Sequence, residues 1–168
     1  VITLTSPWLK ELRSHAWDAY RAAPEPGRVA HLWRYTDPAL FALPESALDG
    51  APRPDLIRAE PAPAGVTVLD LAAAAESRAD LVRGKLGAAV PAAMGRLEAL
   101  NLARWQAGLV VHVARGAART QSSVEGPSSP VLIRSRPGPG FNASRLLVVA
   151  EPGSDVTILR EFAPGGPE

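Results

Sequence analysis

Proline and glycine constrain this chain more than any other feature. Together, 17 Pro and 14 Gly make up about 18% of 168 residues, above the usual level for a globular protein. Proline fixes φ and removes a backbone donor, so long regular elements are interrupted and many turns are expected. One helix is expected to open at Ser6-Pro7, where Ser accepts from free N–H groups and Pro fits the first turn. Leu9, Leu12, Ala16 and Tyr20 follow at helical spacing, and Pro24 and Pro26 stop the helix. An aromatic-rich stretch, residues 32–41, has its helical content limited by Pro38 to a turn or two. Residues 42–64 contain Pro44, Pro52, Pro54, Pro61 and Pro63 and no apolar period, which predicts a linker. A loop that long inside a compact domain is either functional or a connection between subdomains.

The pattern changes at Gly65. Residues 66–69 read as a strand, and Asp70 is placed to cap a helix starting at Leu71. A further helix is predicted over 77–86, with Ser77 and Asp80 at capping-box spacing and Gly87 as its stop. Residues 91–106 give the clearest helical pattern. Pro91 opens it, Met94, Leu97 and Leu100 mark a buried face close to Trp105, and Gly108 closes it. Beyond Gly108 the period is two. Strands are predicted over 109–113, 131–133, 146–150 and 156–159, with loops at 121–130 and 137–140. Glu151-Pro152-Gly153-Ser154 carries the preference of a type II turn. The expected class is α+β, and the strand spacing suits the first coils of a β-solenoid as well as a small sandwich.

Chemistry is harder to place. Net charge is +1; residues 1–60 carry 7 basic and 8 acidic groups, 61–120 carry 7 and 4, and 121–168 carry 4 and 5. No segment is basic enough to predict a nucleic-acid or membrane partner. There is no cysteine, which excludes disulfides and thiolate ligands within this sequence. No apolar run reaches the roughly 20 residues that span a bilayer. Residues 1–12 lack the pattern of a signal peptide, so the cytoplasm is the expected location. Walker A, G-x-S-x-G and G-x-G-x-x-G motifs are all missing. His15, His31 and His112 share no short ligand spacing. The segment Trp33-Arg34-Tyr35-Thr36-Asp37 could offer Asp37 as a base or ligand and Arg34 as an anion clamp. The favoured reading is structural, with Trp33 and Tyr35 anchoring a short turn on the core and Thr36 or Asp37 capping it. No catalytic, cofactor-binding or metal-ligating residue is therefore expected.

Three segments carry a family resemblance. The first is Arg13-x-x-Ala16-Trp17-x-x-Tyr20, Pro24-x-Pro26 and the WRYTD pentapeptide at 33–37. The second runs from Leu97-x-Ala99-Leu100-Asn101-x-Ala103-x-Trp105-x-x-Gly108 into Val110-Val111-His112-Val113. The third is residues 146–157, Leu-Leu-Val-Val-Ala-Glu-x-Gly-Ser-x-Val-Thr. In this order they resemble the N-terminal part of the SufB/SufD family, and SufD more than SufB. The resemblance implies a helical region (1–64), a strand and helices leading onward (65–108), and the start of a right-handed parallel β-helix (109–168). It also implies a non-catalytic scaffold subunit of the SUF iron–sulfur cluster assembly complex, acting through protein contacts. In that family the β-helix pairs a SufD-like with a SufB-like subunit, and a later helical region docks a SufC-like ATPase.

Those docking regions, and the cluster-related Cys and His residues of the family, have no counterpart in these 168 residues. The sequence is therefore expected to be a fragment or a short paralogue, holding no cofactor. A solenoid interrupted after Phe162 would leave an open edge, which predicts self-association there. The helix at 91–106 is expected to cap the other end. Two further classes stay open. A β-rich module for carbohydrate or peptide would present an exposed platform of Trp33, Tyr35 and Trp105. A small hydrolase would show a deep pocket holding perturbed carboxylates or His.

Overall fold

The computed structural model describes residues 6–27, 35–117 and 130–163. These form an α+β protein with four α-helices and two small mixed sheets. Helix α1, Pro7–Ala22, begins and ends where its prolines require, and buries Leu9, Ala16 and Tyr20. Ser6 stands at its N-cap, but the hydroxyl makes no cap bond. Instead the Ser6 carbonyl accepts from Leu9 and Lys10, and its N–H donates to Glu76 Oε1 at 2.8 Å.

The stretch expected to be a linker supplies more than a connection. Strand β1, Ile57–Ala59, forms there, and Leu48, Leu56 and Ile57 are all buried. Strand β2, Val66–Asp70, leads directly into α2, Leu71–Ser77, and Asp70 caps α2 by accepting from the Ala73 N–H at 2.8 Å. The helix expected over 77–86 is shorter. Ser77 closes α2, its hydroxyl donating to the Ala73 carbonyl, and α3 covers only Ala79–Val82. The helix stops ahead of Gly87 because its C-cap, Arg83, already takes extended backbone, and Gly84 at φ +78° turns the chain that follows, with the Lys85 N–H donating to the Val82 carbonyl.

The 91–106 element is also broken. A 3₁₀ turn, Ala92–Met94, precedes α4, Arg96–Arg104. Gly95 stands between them as the N-cap in extended backbone, with Glu98 in the first turn, where a carboxylate suits the helix dipole. Met94 therefore leaves the Leu100 face and is 64% exposed. Gly108 does not close the helix but lies inside strand β3, Ala107–Val113.

Strands β4, Val131–Ser135, β5, Ser144–Ala150, and β6, Ile158–Phe162, complete the sheets. The last starts two residues later than expected from residues 156–159. The predicted turn between β5 and β6 closes with the Ser154 N–H donating to the Glu151 carbonyl, and Gly153 takes φ +74°.

Sheet order is β2-β3-β5 in one sheet and β1-β4-β6 in the other. Successive strands from β3 onward alternate between the sheets. Strand β5 stacks parallel on β3 with Ala107 opposite Ser144, and β6 stacks parallel on β4 with Val131 opposite Ile158. The earlier strands run the other way: β2 pairs antiparallel with β3, and β1 antiparallel with β4.

The β3 strand is the centre of the molecule and is buried along nearly its whole length. Such a continuous apolar run belongs to a strand covered on both faces. Leu109, Val111 and Val113 enter a core between the two sheets with Ile57, Val131 and Ile133. Val110 faces the other way, into a core with Leu9, Leu71, Val82 and Leu102 from the helices. The order is helices, sheet, sheet. Helix α4 lies against α1 and the outer face of β5 rather than over the end of a sheet stack, contrary to the capping role expected of it.

Candidate functional site

Arg13, Trp17 and Tyr20 of α1 meet Arg96, Arg104 and Trp105, at the two ends of α4, in the interface between the helices. Arg13, Trp17 and Tyr20 recur at four- and three-residue spacing, which puts them on one face of α1. The helices run antiparallel along this face, each rung pairing a guanidinium with a ring. Arg13 lies 4.9 Å from the Trp105 ring centroid, Arg104 lies 4.0 Å from that of Trp17, and Arg96 lies 4.2 Å from that of Tyr20. Trp17 and Tyr20 stack at 5.0 Å. Each cation–π contact is worth about 0.5–1 kcal/mol when exposed and more when desolvated.

The same arginines tie the helix ends. Arg13 donates to the Ala103 carbonyl (2.8 Å) and the Trp105 carbonyl (3.3 Å), acceptors that the end of α4 leaves without helical partners. Arg96 donates to the Tyr20 and Ala23 carbonyls at the end of α1 and pairs with Glu25 at 2.9 Å. Burial, together with the neighbouring Arg104, lowers the Arg13 pKa to about 10. This arrangement can clamp two helices; it presents no nucleophile or general base.

The residues singled out in sequence do not converge. Trp33, Arg34 and His31 lie outside the described residues. Tyr35 is 90% exposed and so does not anchor a turn in the core. Asp37 does cap a 3₁₀ turn, Pro38–Phe41, accepting from the Ala39 N–H at 3.0 Å. Trp105 is 3% exposed, which removes it from any aromatic platform. His15 is exposed on α1, far in sequence from His112 on β3. His112 Nε2 meets Glu151 Oε1 at 2.9 Å, across the ends of β3 and β5. The Glu151 carboxyl is held below its ordinary value, first by this hydrogen bond.

Three open clefts are lined by described residues. One of about 220 Å³ lies beside Tyr20, Phe41, Leu43 and Arg96. A second, about 560 Å³, is bordered by Asp55, Arg58, Glu60, Arg134 and Arg136. A groove of about 580 Å³ follows β2. The carboxylates with displaced pKa values, Asp80 beside Arg78 and Glu151 beside His112, line none of the three. Among the described residues no group of three His, Asp or Glu side chains could hold a metal ion, and no helix is long and apolar enough to cross a membrane.

Sequence reasoning missed the pairing of Arg13 with Trp105, of Arg104 with Trp17 and of Arg96 with Tyr20. The spacing of Arg13, Trp17 and Tyr20 was the available signal, but the partner helix was not. No model of a known protein family matches the chain, and no curated protein matches it either.

Proposed function

We propose that the chain is the N-terminal part of a SufD-like scaffold subunit of the SUF iron–sulfur cluster assembly system, non-catalytic and working through protein contacts in the cytoplasm. The observation that carries this reading is the strand order from β3 to β6. Consecutive strands alternate between two sheets, and each stacks parallel on the strand two places earlier. Repetition of that step generates a solenoid, in which each coil contacts only its neighbours. The right-handed parallel β-helix implied by the resemblance would continue it.

The two ends of the stack differ in a way that suits such a scaffold. At one end β1 and β2 pair antiparallel and interrupt the parallel repeat. Strand β1 is only three residues long, and Pro61 and Pro63 separate it from β2. Short strands and prolines are what blunt a sheet edge. At the other end β5 and β6 have no partner on their outer edges among the described residues, and Val148, Leu159 and Phe162 are exposed. An open edge of this kind accepts a further coil or another chain. A β-rich module for carbohydrate or peptide is the alternative, with less support because Trp105 is buried.

The test is co-purification of the product of the complete reading frame with its SUF partners. The expected result is a stable complex with a SufC-like ATPase and a SufB-like subunit. Failure of that full-length product to associate with either would overturn the assignment.

A further inference from the structure

Strand β2 ends its sheet with one edge unpaired among the described residues. The short length and the prolines that blunt β1 do not extend to it: β2 has five residues and no proline. Its ladder with β3 shows which backbone groups face outward. The Ala114 N–H donates to the Gly65 carbonyl at 2.9 Å, while the Val113 carbonyl accepts from Glu151 on the far side of β3. Bonded and non-bonded pairs alternate in an antiparallel ladder. Thr67–His112 and Leu69–Val110 are therefore bonded pairs, and Val66, Val68 and Asp70 turn their backbone away from β3. The Val66 N–H is taken by the Pro63 carbonyl. The Val66 carbonyl, both backbone groups of Val68 and the Asp70 N–H have no partner among the described residues.

The groove of about 580 Å³ runs beside this edge. Val68 and Leu109 line it from one side, Ala59 and Ala62 from the other, and all four take part in the core between the sheets. A strand added beside β2 would pair with Val68 through its backbone and lay every second side chain over this apolar surface. Extended peptides join sheet edges in this way, with main-chain bonds giving affinity and alternate side chains giving specificity.

Charge narrows the occupant. The groove lining carries two acids, Glu60 and Asp70, and no base. Glu60 gives Oε1 to Arg134, and Asp70 gives Oδ1 to the Ala73 N–H, which leaves each carboxylate a second oxygen. A basic strand complements such a groove. A second copy of β2 would bring further acids to it, and like charges side by side are destabilising. We propose that the β2 edge binds an extended peptide segment of a partner protein, apolar and basic at alternate positions, by strand addition. This goes beyond the scaffold reading and stands independently of it.

The experiment is fluorescence anisotropy of a labelled hexapeptide of alternating Val and Lys, titrated with the whole chain at pH 7 and low salt. Saturable binding is expected, and about tenfold weaker binding when Glu replaces Lys in the peptide. Val68→Pro removes the outward N–H but no bond of the β2–β3 ladder, a position where an edge strand tolerates proline. Loss of that bond weakens binding about five- to tenfold. Should Val68→Pro fail to fold, the Val–Lys peptide with every amide N-methylated decides the matter, because it lacks the donors that strand addition needs and must lose binding. The proposal is overturned if the Val–Lys peptide does not bind at millimolar concentration or if the Val–Glu peptide binds as tightly. It is also overturned if Val68→Pro or N-methylation leaves the affinity unchanged. A wild-type dimer that Val68→Pro turns into a monomer in sedimentation would assign the edge to a second copy and overturn it as well.

Discussion

Substitution of Gly108 tests how closely the helical layer approaches the central strand. A Cβ at this position would lie 2.6 Å from Leu71 Cδ2, 2.9 Å from Leu71 Cβ and 2.8 Å from the Arg145 carbonyl oxygen. The last contact is decisive, because it is backbone of the strand paired in register with Gly108. It cannot be relieved by rotating a side chain. Leu71 itself is fully buried and has no room to move aside.

Overpacking of this kind costs about 1–3 kcal/mol. The reduced freedom of the unfolded chain returns about 0.4–1 kcal/mol. We predict that Gly108→Ala is destabilised by about 2 kcal/mol net, near the upper part of that range because a backbone atom must move. The Tm then falls by about 4–8 °C. Differential scanning calorimetry of the variant and wild type at equal concentration measures it. Gly27→Ala is the control: nothing lies within 4 Å of its new Cβ, and the Tm stays level or rises slightly. Combining Gly108→Ala with Leu71→Ala relieves one of the three clashes, that with Cδ2, so the double variant loses less than the two single losses together. A Gly108→Ala Tm within 1 °C of wild type would refute the close approach of α2, β3 and β5.

Other expectations follow from the same structure. Asp70→Ala removes the α2 cap and costs about 1 kcal/mol, read as a fall of about 2–4 °C in Tm. Because the Glu151 carboxyl is held below its ordinary value of 4.5, its stabilising contribution is present above that pH and is lost as pH falls through the folded value. The gap in urea midpoint between wild type and Glu151→Gln should therefore hold above pH 4.5 and shrink as pH falls below it, and a constant gap would contradict the pairing with His112. The open edge of β5 and β6 predicts reversible self-association in sedimentation velocity, reduced by Leu159→Lys and Phe162→Lys. A single monomeric species at high concentration would count against that reading.

The comparison of expectation with outcome separates local from non-local physics. Start and stop signals carried by neighbouring residues were legible: Pro7 and Pro24 around α1, Asp70 at α2, Asp37 before Pro38, and the turn at Pro152-Gly153. Alternation located β3, β4 and β5 because each has at least one face in a core. Strand β1 escaped because three residues between prolines carry no readable period. The break at Gly95 escaped because the apolar spacing of Met94, Leu97 and Leu100 continues through it. The placement of Gly108 was misread for a related reason. A glycine after a helix resembles a stop, and only the nearness of Leu71 and Arg145 shows that the missing side chain is needed for close packing.

By itself, the sequence determined the α+β class, the limits of the first helix and the apolar strand at 109–113. The tertiary structure alone decided what those segments do to one another. It set the parallel stacking of β5 on β3 and β6 on β4, and the antiparallel strands at the opposite edge. It also brought Arg13, Trp17 and Tyr20 against Trp105, Arg104 and Arg96. Helical and strand periods are properties of a few adjacent residues, and a single chain displays them. Pairing between residues some ninety positions apart depends on which surfaces the buried core brings together.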